Sequence, residues 1–338
     1  MQDLDKTVKY ADNDMDKTKV SIIRCEDYKN VRNAILKHFE LHGGIETFIN
    51  RGDNVLIKPN MIAPMPKECA AQTDPAMIVE LAKILVDFGA RPFVADSPAW
   101  ADTITCAKAI GIVEPLKKLG VEIRQLDEPV KRRLEFCRTR VGISRYALDA
   151  DKIINLPKLK THQQLVATIA VKNMFGCVSG KAKAVWHYKK GTTFEEFCTM
   201  LIGIYKLLNP VITIIDGVVA MEGPGPIRGL PRQFGWTVAS IDPIAAEVVC
   251  CELMGILPQQ LPIVTTAQKI NFGCTDRQNI QISGDSMPTE LKKFIPAELT
   301  PLRFTPLRII KSIIRQIFIL VKTRKTIKLC KKPDNGDK

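Results

Sequence analysis

The sequence predicts an α/β fold, a mainly parallel twisted sheet with helices on both faces. Three observations carry this. Short apolar runs bounded by Gly, Pro and Asp alternate with amphipathic stretches of helical spacing. Several of those runs end in polar, chemically competent residues, as buried strands of open α/β sheets do. The 338 residues, 46% of them apolar, suffice for one large core or two modest ones.

Residues 1–18 are polar and read as a flexible terminus. Residues 19–300 form the α/β domain, divisible into two lobes near 142–150, and 301–338 form a basic tail. Within the domain, Val20–Cys25 is a first strand, and a helix over 30–42 stops at Gly43-Gly44. Asn54–Ile57 is a second strand, running into Lys58-Pro59-Asn60. Thr73-Asp74-Pro75 opens a helix with Pro75 at its favoured first position, and Gly89 closes it. Pro92–Ala95 is a third strand, ending in Asp96-Ser97-Pro98; one helix to Gly120 and a strand over Val121–Leu126 follow. Arg132–Val141 adds one or two antiparallel strands. Beyond a lysine-rich window come a helix (Phe194–Leu208), a strand (Val211–Ile215) ending at Asp216-Gly217, a strand (Trp236–Ser240) and a helix (Pro243–Gly255).

Composition narrows the function classes. The ten cysteines show no C-x-x-C pair and no C-x-x-H, which argues against zinc and against an intrinsic iron–sulfur cluster. Scattered thiols and a first segment without an apolar export signal point to a reducing cytoplasm. The net charge of +13 is concentrated: Arg303–Lys338 holds eleven basic residues against Asp334 and Asp337.

The second basic concentration is 151–190, with eight lysines (152, 158, 160, 172, 181, 183, 189 and 190) against Asp151 alone. Ordinary solvated faces mix signs. Lys152–Leu156 reads as a buried strand that Pro157 ends, so Lys158, Lys160 and His162 fall just past its carboxyl end. With Lys58/Asn60, Asp96/Ser97, and Asp216 followed by Glu222, four predicted strands end in polar groups, which one crevice would gather. Each alone equally fits a turn that merely ends a strand. Lysine is a compact charge whose pKa falls when desolvated or crowded, so it serves as an anion ligand, a base or an imine-forming nucleophile. A neighbouring cation keeps His162 neutral, suiting proton transfer, whereas His187, between Trp186 and Tyr188, equally fits a structural role.

Gly176-Cys-Val-Ser-Gly180-Lys181 is one residue short of a Walker loop and lacks its Ser/Thr, but its amides suit an anion cradle. The segment over 217–235 is no dinucleotide fingerprint, because Pro224 and Pro226 remove N–H donors; it reads as a stiff lid, with Arg228 and Arg232 available to an anion. No metal site is assigned. In the tail, Leu307, Ile310, Ile313, Ile314, Ile317 and Val321 share one helical face, while Arg308, Lys311, Arg315 and Lys322 fall on another. That is a basic amphipathic helix over 307–322, suited to an anionic membrane surface through residues 307–332 or to docking on the body. Its longest apolar run is too short to span a bilayer. Low aromatic content, 6%, and the lack of a recognition module weigh against nucleic acid.

The segments VLIKPN (55–60), TDP (73–75), ADSP (95–98), INLPKLKTH (154–162), VKNMFG (171–176), GKAKAVWH (180–187), IDGVVAMEGPGP (215–226) and SIDPIAAE (240–247) resemble the domain-of-unknown-function family 362. The resemblance runs over about residues 20–260 and places Lys172, Asn173 and Gly176 in a shared motif. It brings no reaction and no cofactor to this chain. Many members carry a two-cluster ferredoxin segment after this domain; this chain has the basic tail there, so a separate ferredoxin is the implied redox partner. The lysine, histidine and small-residue pattern also looks like that of the nickel-pincer lactate racemases, an analogy that transfers no chemistry.

Two function classes follow. One is a cytoplasmic, membrane-associated enzyme acting on a small anionic ligand that bears phosphate or carboxylate. In it Lys58, Asn60, Ser97, Lys158, Lys172, Asn173, Gly176, Gly180, Lys181 and Arg228 bind, and His162, His187, Lys160, Asp96, Asp216 and Glu222 do the chemistry. The other is a non-catalytic redox or assembly partner that docks an acidic ferredoxin-like protein or anionic lipid.

Overall fold

The computed structural model describes residues 17–99, 101–179, 182–290 and 293–302. The chain runs β1 (Thr18–Arg24), α1 (Val31–Leu41), β2 (Asn54–Pro59), α2 (Pro75–Phe88), β3 (Arg91–Asp96), α3 (Thr103–Ala109), α4 (Val113–Lys118) and β4 (Glu122–Gln125). A hairpin of β5 (Pro129–Arg133) and β6 (Arg140–Ser144) and the short α5 (Arg145–Leu148) come next. Then follow β7 (Lys152–Leu156), β8 (Lys158–His162), β9 (Val166–Thr168), α6 (Ala170–Asn173), α7 (Ala182–Lys190) and α8 (Phe194–Leu208). The described chain ends through β10 (Ile212–Glu222), β11 (Leu230–Ser240), α9 (Pro243–Leu253), α10 (Pro262–Lys269) and β12 (Ile280–Gly284).

Ten strands make one sheet, ordered β12-β1-β11-β10-β7-β2-β3-β4, with β8 and β9 branching from β10. The run β10-β7-β2-β3-β4 is parallel throughout; β11 is antiparallel to both its neighbours. Period-two side-chain alternation divides the core between the two faces. Val55 and Ile57 of β2 pack with Ile35 of α1 and Leu81 of α2, whereas Leu56 between them packs with Leu201 and Ile204 of α8. On the second face the apolar side of α9 covers Val20, Ile22 and Val238. A mostly parallel sheet with helices on both faces is therefore the fold.

The local signals behave as their chemistry dictates. Asp74 caps α2 by accepting from Ala76 N at 2.8 Å, Pro75 sits in its first turn, and Gly89 ends it at φ +96°, a conformation that costs glycine least. The antiparallel pairing expected around Arg132–Val141 is present as the separate two-stranded β5–β6 sheet, whose strands begin and end a few residues outside that range.

Other expectations need correction. The single helix to Gly120 is two, α3 and α4, broken where Gly111 takes φ +76°. The strand at Asp216 does not stop there. It continues to Glu222 through a register shift between Gly217 and Val219, and β11 begins six residues before the expected Trp236. Lys158–His162 is a strand rather than a loop. After Pro157 the chain resumes pairing with the upper half of β10, because β7 has paired only its lower half. The polar 1–16 segment and the amphipathic tail from Arg303 lie outside the described residues.

Candidate functional site

Parallel strands deliver their carboxyl ends to one rim, and here β2, β3, β7 and β8 with β10 do so. Lys58, at the end of β2, meets Asp96, at the end of β3: Nζ to Oδ1 is 2.7 Å, and both side chains are buried. A buried ion pair repays its desolvation only when its other bonding capacity is filled. Asp96 accepts in addition from Met61 N and Ser97 N, each at 2.7 Å, and Lys58 Nζ donates to Pro59 O at 2.7 Å. Gly176 closes over this pair. A Cβ there would fall on the Asp96 carboxylate and lie 2.6 Å from Lys58 Nζ, so only glycine fits without displacing one of them.

A second pair lies alongside. Lys158 Nζ is 2.8 Å from Asp216 Oδ2 and donates to the Tyr28 hydroxyl at 2.8 Å. Tyr28 donates to Asp216 Oδ1 at 2.9 Å, and Asp74 N donates to Oδ2 at 2.9 Å. Burial and the Asp216 charge push the Tyr28 hydroxyl pKa up, so it stays protonated.

Asparagines bind the strands into a single frame. Asn173 Nδ2 donates to Lys58 O and to Asn155 Oδ1, and its own Oδ1 accepts from Asn60 Nδ2 at 3.1 Å. Asn60 Oδ1 in turn accepts from Lys160 Nζ at 2.6 Å, and Lys160 also donates to Ala71 O at 2.7 Å. Neither partner is charged. Burial above all, then Lys172 and Lys158, holds the Lys160 pKa well below the ordinary lysine value.

His162, two residues on and on the same strand face, completes the row. Its Nδ1 accepts from Gln164 N at 3.0 Å and Leu165 N at 3.2 Å, and its Nε2 is 2.8 Å from Lys172 Nζ. Burial above all keeps the imidazole neutral. Lys172 itself is drawn down to about 8 by burial. Lys183 of α7 donates to Ser97 O and Val178 O and is likewise lowered to about 8 by burial.

Most residues singled out from sequence thus converge: Lys58, Asn60, Asp96, Ser97, Lys158, Lys160, His162, Lys172, Asn173, Gly176 and Asp216. His187 packs on Phe197 and Phe175, with centroids 4.5 and 5.8 Å away, and reaches the row through its influence on His162. Glu222 is not among them. The extension of β10 carries it to an outer wall, where it pairs with Arg232 at 2.5 Å and accepts from Ile295 N at 3.0 Å. Arg228 is exposed. Gly180 and Lys181, like Arg308, Lys311, Arg315 and Lys322, lie outside the described residues. The described His, Cys, Asp and Glu residues form no set of three able to hold a metal. Tyr28, Asn155 and Glu247 were missed; Asn155 had a signal, a carboxamide inside the apolar run KIINL.

Fold and rim together define an α/β protein whose buried site is built on lysine. The chain belongs to the family described as Domain of unknown function (DUF362), whose model matches residues 55–252. It is 32% identical over 305 residues to a thylakoid-associated protein of Synechocystis sp., covering 89% of this chain and 94% of that one. Among solved structures, the lactate racemase apoprotein from Thermoanaerobacterium thermosaccharolyticum superposes with a TM-score of 0.44 at 12% identity, over 73% of this chain and 60% of that chain. Among the described residues no helix is long and apolar enough to cross a membrane.

Proposed function

We propose that this chain is an enzyme that binds a small phosphate- or carboxylate-bearing molecule at the lysine rim and moves a proton on it. One observation carries the reading: among the described rim lysines, Lys58 and Lys158 are ion-paired with carboxylates, whereas Lys160, Lys172 and Lys183 are hydrogen-bonded only to neutral groups, Asp96 acting on Lys160 and Lys183 from farther off. Burying cations without counter-charge is costly, so such amines either lose their protons or receive an anion. A bound anion raises their pKa and recovers charge-assisted hydrogen bonds. The neutral His162 beside Lys172 is the proton-transfer couple, and Asp96 and Asp216 hold the two neutralised lysines in place.

Titrating the protein with inorganic phosphate while following thermal unfolding tests this. A phosphate concentration well above Kd should raise Tm by ~3 °C or more. Lys160→Met, which keeps the side-chain volume, should remain folded and lose that rise. An unchanged rise in the variant would reject the assignment.

A second reading concerns location. The basic amphipathic pattern over 307–332 and the similarity to a thylakoid-associated protein favour a peripheral membrane enzyme. Cosedimentation with phosphatidylglycerol vesicles, lost on phosphatidylcholine and at high salt, is the expected result. Binding to an acidic ferredoxin but not to vesicles would favour the docking alternative.

A further inference from the structure

We infer that Lys172 is a nucleophilic amine that forms an imine with an aldehyde or ketone whose anionic group is held by Lys160. This rests on the anion-binding reading and adds the reacting atom. Gln164 N and Leu165 N are backbone donors with no acceptor capacity, so the His162 ring nitrogen they address, Nδ1, carries a lone pair and no proton. The proton of the neutral ring is therefore on Nε2. That N–H points at Lys172 Nζ, 2.8 Å away, and two donors cannot share one hydrogen bond. The lysine must accept, which only an unprotonated amine can do. The burial that lowers Lys172 to about 8 acts in the same direction.

The surroundings fit this chemistry. Lys172 keeps partial exposure as a residue, as do Asn60 and Gly176, so this stretch of the rim is not wholly sealed. Among the described residues no acid is hydrogen-bonded to it to hold a charge there. Lys160 is near enough to be coupled to it electrostatically, which places an anion-binding amine beside the nucleophile.

The step balances without an oxidant. The Lys172 lone pair attacks the carbonyl carbon, a C–N bond forms, and the π pair moves to the oxygen. His162 Nε2–H, released as the amine rotates, donates to that oxygen. A nitrogen proton then passes to the oxygen, giving a carbinolamine. Loss of one water, which carries off the second nitrogen proton, leaves the C=N bond.

Pyridoxal 5′-phosphate and pyridoxal, each followed by borohydride reduction and peptide mapping of the full-length protein, test this. At pH 7.5 an amine near pKa 8 is neutral ~100-fold more often than an ordinary lysine. Lys172 should therefore take the phosphorylated probe ~10-fold faster than exposed Lys29 even after allowing for its weaker intrinsic nucleophilicity. Pyridoxal should label it far less, and inorganic phosphate should protect it. Labelling of Lys172 no faster than Lys29 would overturn the nucleophile. Fast labelling by both probes, indifferent to phosphate, would overturn the proposal through the anion reading beneath it. The mapping uses the unmodified sequence, so it does not depend on a variant folding; Lys172→Arg should additionally lose the fast site.

Discussion

Lys58 and Asp96 stand 2.7 Å apart at the carboxyl ends of adjacent parallel strands, with Gly176 laid across them. That contact leaves no room for a methyl group. Gly176→Ala should destabilise the fold by ~1–3 kcal/mol, the usual range for overpacking. It should also weaken phosphate binding, because the displaced groups frame the rim. Urea denaturation and a phosphate titration measure the two effects. A variant unchanged in both would mean that the loop over 174–179 gives way freely.

The Lys158–Asp216 pair is completed by Tyr28 and the Asp74 amide. Asp216→Asn strands a buried ammonium and should cost ~3–5 kcal/mol. Adding Lys158→Met to it should recover part of that loss, since the unpaired charge goes too. A double-mutant cycle by urea denaturation reads the coupling, and no recovery in the double variant would refute the account.

Glu247 supports the rim from beneath. Its carboxyl accepts from Val171 N at 2.9 Å, at the start of the short helix that carries Lys172 and Asn173, and burial pushes its pKa up to about 8. The folded state thus keeps a proton that the unfolded chain loses from about pH 4.3 upward. Stability from this group falls as pH rises between that value and about 8. Glu247→Gln keeps the acceptor and removes the titration, so its Tm should decline less between pH 5 and 8 than that of the parent. Parallel profiles would rule out this linkage.

His38 has the opposite sign. It is buried against Ser21 Oγ at 2.6 Å and Thr237 Oγ1 at 2.9 Å, and burial lowers its pKa to about 3. Below about pH 6.5 the unfolded chain binds a proton that the folded one refuses, and stability drains away as pH falls toward 3. His38→Gln should flatten the acid side of a Tm-against-pH curve between 6.5 and 4, though it starts lower at neutral pH. An equally steep acid limb would place the sensitivity elsewhere.

Much of this rim was legible because its grammar is local. An apolar run that ends in Lys58, in Asp96 or in Asp216 says both that a strand is buried and that its end is not inert. The alternation Lys158-Leu159-Lys160-Thr161-His162 carried a strand signal of period two that Pro157 concealed. What sequence did not reveal is which lysine has an acid beside it, because that depends on which strands lie side by side, Lys58 meeting Asp96 and Lys158 meeting Asp216. Tyr28 was invisible for the same reason, lying in a short turn before α1 with nothing around it to mark it. Glu222 misled because a register shift inside β10 does not show in a run of small and apolar residues.

The described chain closes with Thr300 N bonded to Gln163 O at 2.7 Å, and with Pro301 O and Leu302 O both bonded to the Gln164 side chain. Gln164 N in turn fixes the ring of His162. The last described residues are therefore fastened to the two residues that follow His162, and the position of that imidazole is tied to how residues 300–302 are seated.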